Sequence, residues 1–589
     1  MAITYWTRSA LSRRSLLRGG AAGTLGLAGA ALIGCSSSSS KDATPVGTAI
    51  QGTPTAVASG GVAKKGGTLR IAGQLTGDVP SLDYDRTGGS AMGSISNITA
   101  VKLTQWDERP DSPGPVENVI PDLAESWETP DQGTTWNFKL RKGVKTSDGL
   151  EVKASDVLWS FERNANMRTP LGWLQNNISD MFTGKKPNAT VIDDYTLQVK
   201  LNKPDADFLA LMGSHWWGVE HKDVITKKGA DLGKTAAGFG DITGVDQIRG
   251  GGPYYPSEYV PASGFKMKRN PNFYDSNLAY LDGIDHPFIL DPAAAAAALQ
   301  SEQLDAFGPL TQFTVQQGLE LQKSDKLQVN WQPCMVWNPW IFDMTKAPFD
   351  DVRVRSAMAR AIDRESWIKN LLQGRGRNGS MVLPWLTYWA LDPAKMGADA
   401  DPSFKYDPAE SKKLLAAAGK EKFSFPLQTS NVGAYTVTYP FADLMKSMLA
   451  NVGITMDIKI VDYAAHLAKN TADGGVYQSF IVRPDIQSYA YAQVGMIGLV
   501  ADKDVWGALS KNDKEYQDFR AVAEKQRLVQ DRAARREMVY DMQKRWSKNV
   551  WDFYWPAPDS PMVSNKKVHN FRPPPGWNWN IMRYVWKDA

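Results

Sequence analysis

Cysteine and histidine are scarce in this sequence. Its 589 residues include two cysteines, Cys35 and Cys334, which are too few for a disulfide framework. The five histidines never lie three or four residues apart, which is the spacing that a zinc site on a helix needs. The sequence therefore predicts neither a metal site nor a bound cofactor.

A surplus of charge of one sign is also missing. Of the 67 basic residues, four lie in residues 1–35, which contain no acid, and the other 63 balance 63 acidic residues. Nucleic-acid binding needs an excess of positive charge, so a nucleic-acid partner is excluded. Beyond residue 35 no long uncharged apolar run occurs, which excludes an integral membrane bundle.

Catalytic motifs are not apparent either. The sequence has no Gly-x-Ser-x-Gly elbow, and nothing among its many acidic residues selects a carboxylate pair. We therefore predict that the protein is not an enzyme. A tethered extracytoplasmic enzyme remains the alternative from another functional class.

The first 35 residues are similar to an export signal. Arg13 and Arg14 lie in a segment that resembles a twin-arginine signal, and a short glycine-rich apolar run over residues 19–34 follows. This run ends at Cys35, as in a bacterial lipobox, where the cysteine thiol is acylated. Residues 36–65 are rich in serine, threonine, glycine and proline and are predicted to be a flexible tether. We expect an exported protein, lipid-anchored at the extracytoplasmic face of the cell membrane or in the periplasmic space.

The rest of the chain alternates strand and helix patterns. Residues 68–72 and 136–140 alternate apolar and polar side chains, which predicts strands. Asp291 and Asp407 each precede a proline and an apolar helical stripe, which predicts two capped helices. The mixed pattern indicates an α/β protein, and the length indicates more than one lobe.

Several sequence blocks, in order along the chain, resemble one family. The blocks are residues 121–128 (PDLAESWE), 138–145 (FKLRKGVK) with 148–149 (DG), 251–254 (GGPY), 268–274 (KRNPNFY), 280–284 (YLDGI), 299–305 (LQSEQLD), 348–355 (PFDDVRVR) and 361–364 (AIDR). Together they are similar to solute-binding protein family 5, the peptide-, oligopeptide- and nickel-binding components of bacterial ABC importers. The resemblance covers about residues 66 to 575. The block at 251–254 resembles the family's Gly-x-Gly-Pro-Tyr/Phe, with an alignment left open by one residue because Gly250 precedes it.

The resemblance implies an α/β, two-lobed periplasmic-binding-protein-like fold with an inserted domain and a hinge between the lobes. Lobe I is expected to combine residues 66–105, 245–328 and 551–589. The inserted domain is expected at 106–244, and lobe II at 329–550, each boundary holding to about 15 residues.

The same resemblance implies a function. We expect a monomeric extracytoplasmic receptor that captures a peptide or peptide-like solute between two closing lobes. The receptor is expected to deliver that solute to the membrane permease of an ABC importer.

One segment implies where a peptide would bind. Peptide-binding members of the family carry an acidic motif that captures the peptide's amino terminus, and the corresponding residues 482–489 contain Arg483, Asp485 and Tyr489. Asp485 is expected either to meet the solute's ammonium group or to pair with Arg483, and both alternatives stay open. Asp343 stands where the family often has asparagine, which adds a carboxylate at the entry to lobe II.

Tryptophan is abundant, with 21 residues. Trp337, Trp340 and Trp385 lie near the predicted lobe crossings and loops, close in sequence to Trp331, Tyr388 and Trp389. As stacking surfaces they suit a sugar, a peptide side chain or a cationic group, so an oligosaccharide or another aromatic-stacked solute is the alternative ligand. As core residues they simply fill the interior. The sequence leaves both interpretations open.

Overall fold

The fold is taken from a computed structural model. It describes residues 62–73, 82–83, 90–112, 119–166, 179–214, 217–226, 242, 244–289, 291–308, 313–332, 339–342, 344, 346–378, 381–382, 386, 388–429, 439–460, 476–478, 513–554, 556–572 and 579–588. All of them belong to one compact unit, Val46–Ala589.

Helices and strands are mixed along the whole described part of the chain. The strands are β1 Thr68–Ala72, β2 Thr104–Trp106, β3 Val119–Pro121, β4 Ala124–Glu128, β5 Thr135–Leu140, β6 Phe182–Thr183, β7 Lys186–Pro187, β8 Ala189–Asp193, β9 Thr196–Lys200, β10 Tyr254–Val260, β11 Gly264–Arg269, β12 Gly283–Pro287, β13 Ala306–Phe307, β14 Leu327–Gln332, β15 Pro339–Phe342, β16 Gly376–Asn378, β17 Phe423–Thr429, β18 Ile454–Ile460, β19 Val476–Gln478, β20 Phe553–Tyr554, β21 Pro556–Pro558, β22 Ser560–Asn565, β23 Val568–His569 and β24 Trp586–Lys587. The helices are α1 Ser90–Thr99, α2 Ala154–Asn166, α3 Phe208–Met212, α4 Lys222–Thr226, α5 Pro292–Gln300, α6 Val315–Leu321, α7 Val352–Arg360, α8 Arg364–Asn370, α9 Asp401–Phe404, α10 Pro408–Ala417, α11 Tyr439–Ala450, α12 Lys514–Arg527 and α13 Arg532–Asn549.

Three sheets of four or more strands organise the described residues, and each sheet together with the segments packed against it is called the seven-stranded, five-stranded or four-stranded unit. A seven-stranded sheet has the order β10-β11-β12-β1-β13-β22-β14, and a five-stranded sheet has the order β18-β17-β19-β15-β20. A four-stranded antiparallel sheet, β4-β5-β9-β8, is formed by residues 124–200. The seven-stranded sheet therefore joins distant parts of the chain, whereas the four-stranded sheet is local in sequence.

The two capped helices form as predicted. Oδ1 of Asp291 accepts the amide of Ala294 at 2.7 Å, and Oδ1 of Asp407 accepts the amide of Glu410 at 2.9 Å. A proline at the first helical position follows each aspartate. The caps satisfy amides that the first turn of a helix leaves unpaired, which is why α5 and α10 begin where they do.

Two large groups of buried apolar side chains support these sheets. One lies along the seven-stranded sheet and includes Leu69, Ile71 and Phe265. The other is continuous from the four-stranded sheet, with Phe138, to the five-stranded sheet, with Phe342. Among the described residues, no helix combines the length and the apolar composition needed to cross a bilayer.

Candidate functional site

The parallel strands β1, β12 and β13 of the seven-stranded sheet end at the same edge of that sheet. Strands β12 and β13 both run parallel to β1, and β22 runs antiparallel to β13. The register pairs Phe307 with Val563, and Gln332 with Ser560. The end of β14 and the start of β22 therefore lie at the same edge as the carboxyl ends of β1 and β13.

The five-stranded sheet has the corresponding arrangement. Strands β17, β18 and β19 are parallel, and β15 runs antiparallel to β19 and β20. The register pairs Trp340 with Gln478, and Pro339 with Tyr554. The start of β15 and the end of β20 thus lie at the carboxyl edge of this sheet.

Two short stretches of chain connect these edges. Residues 333–338 join β14 to β15, and residues 555–559 join β20 to β22. Both sheets therefore turn their carboxyl ends towards the two crossings, and ligands of α/β sheets bind outside such ends. We call the space between the two carboxyl edges the cleft, and it is the candidate binding site.

The residues predicted to bind solute stand close to these edges in sequence. Arg483, Asp485 and Tyr489 lie outside the described residues, in the stretch that follows the carboxyl end of β19. Trp340 is part of β15, while Trp337, Asp343 and Trp385 lie outside the described residues. The export and lipidation residues Arg13, Arg14 and Cys35 lie outside them too. The roles of all these residues stay predictions.

The neighbouring aromatic residues have structural partners. Trp389 is 1% exposed, and the guanidinium of Arg535 lies 5.2 Å from its ring centroid. The guanidinium groups of Arg532 and Arg536 lie 4.1 Å and 4.9 Å from the ring centroid of Tyr388. Both rings therefore pack against α13, which supports the core interpretation for these two.

The second crossing is fastened to the five-stranded unit by contacts that sequence reasoning missed. Strand β21 pairs with β16, and Nη2 of Arg377 donates to Oδ1 of Asp559 at 2.7 Å. The amide of Asp559 donates to the carbonyl of Arg375 at 2.9 Å. These bonds fix the path of residues 556–559 relative to α8 and β16.

Two further contacts join α6 and β14, next to the first crossing, to the loop that follows α8. Nε2 of Gln373 donates to Oε1 of Gln316 in α6 at 2.6 Å, and the guanidinium of Arg375 lies 4.1 Å from the ring centroid of Trp331. Such a cation–π contact contributes about 0.5–1 kcal/mol at a half-exposed site. One face of the Trp331 ring is thus already covered by protein.

The carboxyl edge of the seven-stranded sheet carries a buried aromatic group. Gly308 follows β13, and a β-carbon there would lie 3.3 Å from the ring of Trp579, so glycine leaves room for this ring across the strand ends. The ring of His286, from β12, lies 5.3 Å from that of Trp579. His286 is 2% exposed, and burial lowers its pKa to about 4.

This buried histidine predicts a pH dependence of stability. Below pH 6.5 His286 becomes protonated in the unfolded chain but stays neutral in the folded protein. The free energy of unfolding therefore falls as the pH drops from 6.5 to about 4. Between pH 7.5 and 4.5 we expect His286→Leu to lose about 2 to 3 kcal/mol less unfolding free energy than the wild type. Denaturant unfolding of both proteins at pH 7.5 and 4.5 measures it, and parallel losses in the two proteins would contradict it.

The described residues offer no metal site. Within these ranges, no three side chains among histidine, cysteine, aspartate and glutamate lie close enough together to hold an ion.

Comparisons with known proteins agree on one family. The family model described as "Bacterial extracellular solute-binding proteins, family 5 Middle" matches residues 118–495. A dipeptide-binding protein of Escherichia coli (strain K12) is 27% identical over 380 residues, which cover 60% of this chain and 66% of that protein. Heme-binding protein A of Haemophilus influenzae is 29% identical over 317 residues, covering 51% of this chain and 54% of that protein. The matched part spans two thirds or less of these relatives' own length.

A solved structure shows the fold. The ABC transporter-associated periplasmic binding protein DppA from Helicobacter pylori, in complex with peptide STSA, has a TM-score of 0.68 to this chain at 20% identity. The alignment covers 89% of this chain and 99% of that one. The predicted α/β periplasmic-binding-protein fold is thereby confirmed.

Proposed function

This chain belongs to the bacterial extracellular solute-binding proteins of family 5, and on that premise we propose that it is the receptor of an ABC importer. In this function it captures a solute in the cleft between the two sheets and delivers it to the permease. It binds without catalysing a reaction, and it acts as a monomer.

The arrangement of the sheet edges carries this proposal. Both sheets turn their carboxyl ends to the two crossings, which leaves one site that closes by rotation of one unit against the other. A solute that contacts both edges gains affinity only when they approach, so binding and closure are coupled. In this proposal the permease recognises the closed, solute-bound conformation.

A peptide or peptide-like compound is the proposed solute. The Escherichia coli relative is a dipeptide-binding protein, and the Helicobacter pylori structure holds a peptide. Export through Arg13 and Arg14 and acylation at Cys35 complete the proposal, since a lipid anchor with a tether at residues 36–65 keeps a receptor beside its permease.

Native mass spectrometry of freshly purified protein tests this function. We expect a complex whose extra mass is that of a peptide, released unchanged on denaturation. A bound oligosaccharide would contradict the peptide proposal and support the alternative, a receptor for an aromatic-stacked solute. Conversion of the bound compound to products during incubation would instead establish an enzyme.

Asp485 offers a sharper test of peptide capture. In a closed cleft its carboxylate pairs with the peptide's ammonium, and a charge-assisted contact of this kind contributes about 1.5–3 kcal/mol. Asp485→Asn is therefore expected to weaken binding of Ala-Ala-Ala about tenfold to a hundredfold, while N-acetyl-Ala-Ala-Ala is barely affected. Calorimetric titration of both peptides measures the difference.

Asp457 provides the control for that experiment. It is an exposed acid in β18 that pairs with Lys459, so Asp457→Asn is expected to leave both affinities unchanged. An equal loss for free and acetylated peptide in Asp485→Asn would assign Asp485 to a structural pair with Arg483 and contradict amine capture.

A further inference from the structure

Ion pairs join two parts of the molecule that are far apart in sequence. Residues 201–207 link β9 to α3 in the unit of the four-stranded sheet. Helices α12 and α13 form a hairpin in the unit of the five-stranded sheet. The two meet through Asp205, Asp207, Arg527 and Arg535, and we call these four residues the clasp.

The inner pair of the clasp is bidentate and buried. Nη1 and Nη2 of Arg535 donate to Oδ1 and Oδ2 of Asp207 at 2.7 and 2.6 Å, and both side chains are at most 3% exposed. The outer pair joins Nη2 of Arg527 to Oδ2 of Asp205 at 2.5 Å. Parallel bonds of this kind fix direction as well as distance, so the clasp specifies one position of the hairpin.

Neighbouring groups hold the clasp in place. Nε of Arg535 donates to Oε1 of Gln526 at 2.6 Å, and the amide of Ala206 donates to the carbonyl of Arg527 at 2.8 Å. Burial raises the pKa of Asp207, and the Arg535 guanidinium opposes that rise. The Asp207 carboxylate thus depends on its partner, and separating the two leaves buried charges unpaired.

The four-stranded unit is attached to the seven-stranded unit on another side. Oη of Tyr274 donates to Oδ1 of Asp122 at 2.8 Å, and Nη1 of Arg583 donates to the same oxygen at 3.3 Å. Nδ2 of Asn272 donates to the carbonyl of Thr146 at 3.1 Å. A path of buried and partly buried contacts therefore runs from the seven-stranded unit through the four-stranded unit to the hairpin.

The clasp lies far from the crossings. Arg535 is near the start of α13, whereas Asn549, at its end, precedes β20 and the second crossing. Fourteen residues of helix span roughly 20 Å, so a rotation of about 20° at the crossings moves the clasp end by roughly 7 Å. That displacement exceeds the reach of any hydrogen bond, so a rotation of this size opens the clasp.

We propose that the clasp is a further connection between the units that hold solute, beside the two crossings, and that it stabilises the arrangement of the sheets seen here. Asp207 and Arg535 are then positioning residues that raise solute affinity without touching the solute. This inference rests on the proposed capture of solute between the two sheets.

Arg535→Gln tests the clasp directly. We expect an increased radius of gyration of the ligand-free protein in small-angle X-ray scattering, because open arrangements gain population. We also expect Kd for Ala-Ala-Ala in calorimetric titration to rise at least tenfold, which corresponds to 1.4 kcal/mol. Arg527→Gln, which removes the partly exposed outer pair, is the milder variant should Arg535→Gln fail to fold.

Arg355→Gln is the matched control. Arg355 is a buried arginine whose guanidinium donates to the carbonyls of Phe349, Asn549 and Val550 within the five-stranded unit. We expect this variant to lose thermal stability while its radius of gyration and Kd stay as in the wild type. For the clasp variants, an unchanged ligand-free radius or an unchanged Kd overturns the proposal. If the wild type binds no peptide, the proposed peptide receptor fails, while the scattering comparison still decides the clasp.

Discussion

Gly252→Ala is expected to lower the free energy of unfolding by about 3 kcal/mol or more, the upper range for overpacking. A β-carbon at residue 252 would lie 2.4 Å from the carbonyl oxygen of Ile98 and 2.6 Å from the carbonyl carbon of Thr99. Both are backbone atoms at the end of α1 and cannot rotate aside. Either α1 or the start of β10 must therefore shift. Chemical unfolding followed by tryptophan fluorescence measures the loss.

Gly251→Ala is the control at the adjacent position. A β-carbon at residue 251 would meet only side-chain methyl groups of Val101 and Val144, at 3.3 to 3.4 Å. These side chains can yield by a few tenths of an ångström, so we expect a loss of at most about 1 kcal/mol. Equal losses in the two variants would mean that close backbone approach is not what residue 252 requires.

The same geometry decides an alignment that the sequence left open. A β-carbon at Gly250 would lie 2.5 Å from the carbonyl oxygen of Thr99, so residues 250 and 252 both need to be glycine for backbone approach. The Gly-x-Gly-Pro-Tyr pattern therefore corresponds to residues 250–254, one residue earlier than the block read from the sequence.

Residues in other blocks of the family resemblance also form hydrogen bonds that hold distant parts of the chain together. Asn270 donates to the carbonyl of Gly252 at 2.9 Å, and Tyr274 donates to Asp122. Oδ2 of Asp305 accepts the amide of Arg70 at 2.7 Å. Each of these residues fixes one part of the chain against a distant part, so each has a structural role away from the solute. The blocks therefore predicted the family and fold well, and they carry little information about the solute.

Contacts between distant residues could not be predicted in this way. A helix cap such as that of Asp407 spans three residues, so the local sequence reveals it. The pair of Asp207 and Arg535 spans 328 residues, and nothing near either residue points to the other. The candidate site could not be located from local sequence either, because the strand order of the complete fold decides which strand ends lie next to the crossings.

Arg583→Met is expected to cost about 3 to 5 kcal/mol of folding free energy, the usual cost of removing one partner from a buried ion pair. Arg583 and Asp122 are at most 2% exposed, and Oδ2 of Asp122 also accepts the amide of Lys102 at 2.9 Å. The Lys102 ammonium is a poor substitute for the guanidinium, because burial lowers its pKa to about 7. The Asp122 carboxylate is then left buried without a permanent cation. Chemical unfolding at pH 7.5 measures the cost.

A second variant separates this charge effect from lost packing. Asp122→Asn in the Arg583→Met background removes the unpaired charge. Its amide oxygen still accepts the backbone amide of Lys102, and its NH2 group donates to the hydroxyl oxygen of Tyr274. We therefore expect the double variant to be more stable than Arg583→Met alone, since a neutral pair avoids the desolvation of an isolated carboxylate. Lys153→Met, which breaks a largely exposed pair with Asp194, should leave the unfolding midpoint unchanged. A double variant no more stable than Arg583→Met would contradict this account, because it would show that the unpaired Asp122 charge is not the source of the loss.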